Sequence, residues 1–203
     1  MEGGLEQQAQ TPNEERHDTW PENDNPKLEP RIYVASLSDY NAGRLHGIWL
    51  DAAQEPEELR DQVAEMLATS KEPIAEEWAI HGYEGFTGLR LGEWEDLGYV
   101  SKVAKGITEH GEAYGHWAEI VDTDEELDQF EERYLGRWSS ATEYADDVLE
   151  DLGLHEEVYR VVPENLRPYV VLDAEAFGRD LQIGGDITVI EDGGGSVWVF
   201  GST

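Results

Sequence analysis

The chain has 203 residues, and its 46 Asp and Glu against 14 Lys and Arg give a formal net charge of −32 at pH 7. Because this charge repels phosphate, it excludes nucleic-acid binding through a basic patch and attraction to an anionic membrane, and it favours basic protein partners. Cysteine is absent, which excludes disulfides, thiolate catalysis and Cys-ligated zinc. The start of the chain lacks the pattern of a signal peptide and the apolar runs are short, so we expect a cytoplasmic protein.

The first third of the chain predicts a tail followed by a small sheet. Residues 1–30 are acidic and proline-rich with too few apolar side chains to pack a core, so they predict a flexible tail. The β-branched and aromatic side chains of residues 31–37 favour a strand, which turns back into a second strand over 44–50. Pro56 opens a helical pattern that lies on this hairpin, and residues 77–83 predict a further strand.

The middle of the chain is predicted to be helical, and its last part returns to strands. From about Glu93, apolar side chains at helical spacing share one face, and several glycines keep the helices short. At the end of the chain, the glycines at 193–195 predict a tight turn between strands at 187–190 and 197–200.

The acidic residues are concentrated in one part of the chain. Residues 119–157 hold 15 acidic and 2 basic side chains, whereas residues 158–203 hold 7 and 3. An acidic surface that served only solubility would be spread more evenly. The sequence therefore indicates a dense acidic block followed by a weakly charged C-terminal segment.

Residues 140–153 predict an amphipathic helix with an unusual polar face. Ser140 and Glu143 form a capping-box pattern, and Gly153 is a typical C-terminal stop. The expected core stripe is Ala141, Tyr144, Ala145, Val148, Leu149 and Leu152. The opposite side carries Glu143, Asp146, Asp147, Glu150 and Asp151. With a rise of about 1.5 Å per residue, these carboxylates span about 12 Å of the helix axis, or roughly one charge per 3 Å, whereas one strand of B-DNA presents one charge per roughly 3.4 Å.

This polar face contains no base. Like charges at positions i, i+3 and i+4 destabilise a helix, and an ordinary solvated face interleaves Lys with Glu. Thr123 opens a second acidic element in the same way, with Leu127 and Phe130 inward. The candidate partner-binding surface, which we call the acidic surface, comprises Asp122, Asp124, Glu125, Glu126, Asp128, Glu131, Glu132, Glu143, Asp146, Asp147, Glu150 and Asp151.

Patterns for catalysis and for bound ligands are not met. A calcium loop starting at Asp122 is rejected because Leu127 occupies the position of the required glycine. His155 lacks the second His of a metalloprotease helix, and no phosphate-binding Gly-Lys-Ser/Thr motif occurs. We therefore expect no enzyme activity, no metal and no cofactor.

Several separate stretches of the chain resemble the ArdA antirestriction proteins. In the first half they include Trp49 and His81, and in the second half Phe177 and Trp198. The stretches are residues 31–37, 40–43, 47–49, 77–84, 140–153, 162–164, 169–173, 176–181 and 197–200. Their order and spacing resemble those of the family over about residues 31–203.

The resemblance implies a fold and a function. It implies an elongated α+β protein of three small modules, at about 31–92, 93–132 and 133–203. Proteins of this family are encoded on mobile genetic elements and imitate bent B-form DNA. They occupy the DNA-binding cleft of type I restriction-modification enzymes, at the methyltransferase core, and do not bind nucleic acid directly. Residues 143–151 correspond to the acidic helical stretch proposed as the family's antirestriction motif.

The resemblance also implies a homodimer joined through the C-terminal module. Two bodies of this charge can associate only through a surface that carries little of it, and residues 158–203 satisfy that condition. The candidate dimer interface is Val170, Val171, Phe177, Val197, Trp198, Val199 and Phe200.

Three other functions stay open. An acidic binding module for another basic DNA-binding protein has the same physical basis with a different target. A salt-adapted acidic enzyme agrees with the four Lys against ten Arg, although the clustered charge and the missing catalytic patterns weigh against it. A structural acidic protein would have no specific partner.

Overall fold

Residues 28–202 are described by a computed structural model, in which helices pack against two small antiparallel sheets. Of residues 28–202, 47% lie in helices and 19% in strands, which confirms the α+β class. The predicted flexible tail lies outside the described residues except for 28–30. In that short part, Leu28 packs against the core and the carbonyl of Pro30 accepts a 2.9 Å hydrogen bond from the backbone of Ala52. Within residues 28–202, no helix has the length and apolar character to span a membrane.

The first sheet forms where the sequence predicts it. Its elements are β1 (Arg31–Ser36), α1 (Leu37–Asn41), β2 (Gly47–Asp51), α2 (Pro56–Ala68) and β3 (Trp78–Glu84). The strand order is β2-β1-β3, all antiparallel. Alternation places Ile32, Val34 and Leu50 on the buried face under α2.

The second strand begins three residues later than predicted because the connection has a structure of its own. The short helix α1 starts with Ser36, whose hydroxyl accepts from the backbone N–H of Asp39 at 3.3 Å. The buried carboxylate of Asp39 accepts from Ser70 Oγ and from Arg44 Nε, which keeps Arg44 out of the strand. These hydrogen bonds, that of Ser70 above all, lower the pKa of Asp39.

Four helices follow, as the periodicity from Glu93 predicts. They are α3 (Leu97–His110), α4 (Glu112–Ile120), α5 (Asp124–Leu127) and α6 (Phe130–Arg133). The side chain of Asp96 caps α3 by accepting from the backbone of Gly98 at 2.8 Å. Gly106 permits close packing of α3 on α4, since a Cβ there would lie 2.2 Å from the ring of Tyr114. Burial of that tyrosine raises its pKa to about 12.

The last part of the chain forms a second sheet and three helices. Its elements are β4 (Tyr134–Trp138), α7 (Ala141–Asp151), α8 (Leu154–Val161), a 3₁₀ turn (Arg167–Tyr169), α9 (Ala174–Gly184), β5 (Ile187–Glu191) and β6 (Val197–Gly201). The order is β4-β6-β5, so the last strand is central. The predicted terminal hairpin is confirmed, with Asp192 Oδ1 accepting from the backbone of Gly194 at 2.7 Å and of Ser196 at 2.9 Å.

One apolar cluster extends from the first sheet through α3 and α4 to the last strand. The ring of Trp117 on α4 lies 5.4 Å from that of Phe200, and His116 stacks on Trp198 at 4.7 Å. The division into three modules stays a prediction, but these contacts join the central helices and the second sheet through a common core.

Candidate functional site

Helix α7 carries acidic side chains on its solvent side, as its amphipathic pattern predicts. Tyr144, Ala145 and Leu149 are buried. Opposite them, Glu143, Asp146, Glu150 and Asp151 are exposed and Asp147 is half-buried. The predicted core stripe is wrong at one residue: Leu152 is 64% exposed, because the helix ends at Asp151 and the chain turns at Leu152.

The start of α7 fixes the first of these carboxylates. Ser140 Oγ accepts from the backbone N–H of Glu143 at 3.1 Å, and Glu143 Oε2 accepts from the backbone of Ser139 at 2.7 Å. A capping box would have the Glu143 side chain accept from the backbone N–H of Ser140, and here it accepts from that of Ser139 instead. Hydrogen bonds from the side chain and the backbone of Ser139 lower the pKa of Glu143, so its charge persists under mildly acidic conditions.

Helix α7 is held in place by close packing on α9. A Cβ on Gly178 would lie 2.8 Å from the carbonyl oxygen of Ala141 and 3.2 Å from the Cβ of Ala145, so only glycine permits this approach. Ala145, Leu149 and Ala174 form a small buried cluster between the two helices. The close packing on α9 therefore fixes the position of α7 and of the acidic side chains on its solvent side.

A shallow groove of about 630 Å³ adds two carboxylates that sequence reasoning missed. It is lined by Ser140, Thr142, Glu143, Asp146, Val171, Leu172, Asp173, Ala174 and Glu175. Asp173 Oδ1 accepts from the backbone of Ala176 at 2.9 Å and so caps α9. An Asp followed by a helical pattern could have predicted that Asp173 caps a helix and that Glu175 lies in its first turn. The segment 158–203 as a whole carries little net charge, so its acidic residues were not assigned to the acidic surface.

Around α5 and α6, the second acidic element of the sequence, two of the acidic side chains interact with other groups of the chain. Glu126 Oε2 accepts from the backbone of Thr123 at 2.9 Å and of Asp122 at 3.1 Å, and from Thr123 Oγ1 at 2.8 Å. These bonds, led by that of the Thr123 hydroxyl, lower the pKa of Glu126 and commit it to the cap of α5. Asp128 pairs with Lys102 Nζ at 2.8 Å.

The other acidic residues around α5 and α6 are exposed. They are Asp122, Asp124, Glu125, Glu131 and Glu132. The ion pairs that Lys and Arg form within residues 28–202 involve none of these five carboxylates. On α7, Asp146 Oδ1 lies 3.2 Å from Nε2 of His155. Most of the acidic surface is therefore open to a cationic partner.

The arrangement suits the binding of a cationic partner. Within the described part of the chain, no group of three or more His, Asp and Glu side chains is placed to hold a metal ion. The groove beside α7 has four carboxylates on its lining, and such an array attracts Lys and Arg side chains.

The candidate dimer interface requires a correction. Trp198, Val199 and Phe200 are buried in the interior of the chain, because the central strand β6 places them in the two cores. Val197 is half-buried against the same sheet, and Phe177 packs on the small cluster between α7 and α9. Only Val170 and Val171 are exposed, so the structure removes the β6 residues from the candidate interface.

A different apolar surface lies on residues 152–171, which we call the apolar segment. Helix α8 has no buried residue, and Arg167 lies over the ring of Tyr159 at 4.2 Å. The exposed apolar side chains are Leu152, Leu154, Tyr159, Val161, Leu166, Tyr169, Val170 and Val171. Sequence reasoning missed most of them because they alternate with charged residues.

Comparison with known proteins gives the family of this chain. The family model described as antirestriction protein (ArdA) matches residues 32–194, a range that includes all of the acidic surface and ends between β5 and β6. No curated protein matches the chain. Since the matched range is most of the chain, this protein belongs to the ArdA antirestriction family.

Proposed function

We propose that this protein imitates the charge of B-form DNA and occupies the DNA-binding cleft of a type I restriction-modification enzyme in the cytoplasm. Membership of the ArdA family implies antirestriction function against type I restriction enzymes, and it implies an inhibitor rather than an enzyme. The observation that carries the proposal is the row of exposed carboxylates on α7, a helix whose sequence contains no Lys or Arg.

Electrostatics supports this mode of binding. A cleft lined with Lys and Arg attracts carboxylates for the same Coulombic reason that it attracts phosphates. Along its axis, α7 carries one carboxylate per roughly 3 Å, close to the one phosphate per roughly 3.4 Å along the axis of one DNA strand. Because screening acts over about 8 Å at physiological ionic strength, we expect binding to weaken as salt rises.

The test removes the charge of one face without changing its shape. In the first variant, the carboxylates of α7 are replaced by their amides: Glu143→Gln, Asp146→Asn, Asp147→Asn, Glu150→Gln and Asp151→Asn. Exposed ion pairs contribute about 0.2–1 kcal/mol each, so the variant should bind roughly fivefold to several thousandfold more weakly. Inhibition of DNA cleavage by a purified type I enzyme measures the loss.

A second variant with the same change of net charge is the control. It neutralises exposed acids remote in sequence from α7, on α2 and before β3: Glu57, Glu58, Asp61, Glu65 and Glu76. If net charge alone determined inhibition, both variants would lose it equally. Full inhibition by the α7 variant would refute the assignment of this face.

We further propose that the protein is a homodimer joined through the apolar segment. Exposed apolar surface of this extent, on a helix without buried residues, is typical of an interaction site. The segment also includes Arg160 and Arg167 and so carries less negative charge than α7, which lowers the repulsion between two copies. Of the interface residues that the sequence predicts, Val170 and Val171 are exposed and are part of the apolar segment.

A further inference from the structure

The outer face of the first sheet carries an aromatic pair, the half-buried Tyr33 and the exposed Trp49. Tyr33 and Trp49 are opposite each other in the β1–β2 register, and their ring centroids lie 5.5 Å apart. Ile32 and Leu50, their neighbours along the strands, point to the opposite face and are buried. Trp49 is 43% exposed, although an indole of this size normally contributes to a core.

Two glycines of the sheet lie next to these rings, and a side chain at Gly47 would clash with one of them. The end of the Trp49 ring lies 3.7 Å from the position of a Cβ on Gly82 of β3, so the indole extends across β1. The ring of Tyr33 lies 2.8 Å from the position of a Cβ on Gly47. The two ring planes are tilted by 48° to each other, and we call this pair of rings the aromatic platform.

The platform already holds one guanidinium group. The Cζ of Arg31 lies 5.5 Å from the centre of the Trp49 ring, and its Nη2 donates to Glu84 Oε2 at 2.6 Å. In the register of the sheet, Arg31 lies between Glu84 and Asp51. Within residues 28–202, Asp51 forms no ion pair with Lys or Arg, and its Oδ1 accepts only a local bond from Ala53 at 2.9 Å.

We propose that the aromatic platform binds an arginine side chain of the basic partner protein, next to the position that Arg31 occupies. The guanidinium would stack on the exposed ring of Trp49, beside Tyr33, and pair with the exposed carboxylate of Asp51. This inference rests on the proposed function, because a DNA-binding cleft supplies the arginines.

The chemistry of the platform favours arginine over other occupants. The π face attracts cations, and a guanidinium is planar and more weakly hydrated than an ammonium group, so it stacks better than lysine. An apolar partner would bury Asp51 without a counter-charge, which is costly. A nucleic acid would be repelled by the net charge of −32.

The test measures selectivity between two cationic peptides. Fluorescently labelled octa-arginine and octa-lysine peptides are titrated with the full chain and with Trp49→Ala. We expect the intact protein to prefer the arginine peptide. The variant should lose affinity for that peptide by about two- to fivefold, the range of an exposed cation–π contact, with little change for the lysine peptide.

Two further variants make the result decisive. Trp49→Phe keeps a π face and should retain most of the preference for arginine. Trp94→Ala is the matched control, since Trp94 is 68% exposed and lies outside the platform. Equal losses for both peptides, an unchanged ratio in Trp49→Ala, or the same effect in Trp94→Ala would overturn the proposal. Thermal melts show whether Trp49→Ala is folded. If it is not, Trp49→Leu takes its place, since leucine keeps an apolar side chain without a π face and should lose the preference for arginine.

This assay distinguishes the platform from the proposed function as a whole. It contains no restriction enzyme, so an inactive inhibitor would still show the arginine preference. The amide variant of α7 should bind both peptides more weakly by the same factor. The ratio of the two affinities should stay unchanged, because that face acts through charge alone.

Discussion

Replacing Phe200 by alanine tests whether the last strand belongs to the core or to a dimer interface. Phe200 is fully buried, and its ring centroid lies 5.4 Å from Trp117, 5.6 Å from Tyr134 and 6.3 Å from Phe130. Removing a buried phenylalanine costs about 3–5 kcal/mol through lost transfer energy and the cavity that is left. For a chain of this size, 1 kcal/mol lowers Tm by about 2–4 °C, so we expect a fall of roughly 6–20 °C.

Urea unfolding at several protein concentrations measures this effect. A side chain in the core lowers stability by the same amount at every concentration, whereas an interface residue acts through the dimer and its effect depends on concentration. Trp94→Ala, which removes an exposed ring, should change stability by about 0.5 kcal/mol or less. A loss under about 1 kcal/mol for Phe200→Ala, or dimer dissociation with an equally stable protomer, would refute the placement of Phe200 in the core.

Two further predictions concern the last hairpin and the apolar segment. The ion pair with Arg137, above all, lowers the pKa of Asp192 from 3.8 to about 2, so its contribution to stability is complete above pH 4 and is lost as pH falls toward 2. The difference in unfolding free energy between the wild type and Asp192→Asn should shrink over that range, and a constant difference would contradict this origin. Val171→Asp, at a residue that is 82% exposed, should give monomers in sedimentation velocity without loss of stability, whereas an unchanged dimer would exclude Val171 from the interface.

Local patterns sufficed to predict much of the fold. The strands β1 and β3 and the helices α2 and α7 follow periodicities and capping signals that are written in a few neighbouring residues. Leu152 shows where such reasoning ends: it continues the helical spacing of the α7 stripe, yet the helix stops one residue before it. Helical spacing predicts the burial of a residue only as long as the backbone at that residue is helical.

The position of a strand within a sheet could not be predicted in the same way. The apolar run at Trp198 to Phe200 suits an exposed edge as well as a central strand, and weak local charge favoured the first interpretation. In the structure, β4 and β5 pair with both sides of β6, and the helix α4 supplies Trp117 from about 80 residues earlier. The grouping of Asp173 and Glu175 with α7 was missed for a similar reason, since it depends on the packing of α9 at Gly178.

The rigidity of α7 explains why a costly cluster of like charges can serve as a binding surface. Repulsion among its carboxylates opposes helix formation by a few tenths of a kcal/mol for each close pair. Burial of Tyr144 and Leu149 offsets that cost, since a buried large apolar side chain contributes about 1.5–3 kcal/mol. Packing at Gly178 then fixes the charges before any partner arrives, so little ordering entropy is lost on binding. A flexible acidic tail of equal charge would lack this advantage, and we therefore expect affinity to depend on the support of α7 as well as on its carboxylates.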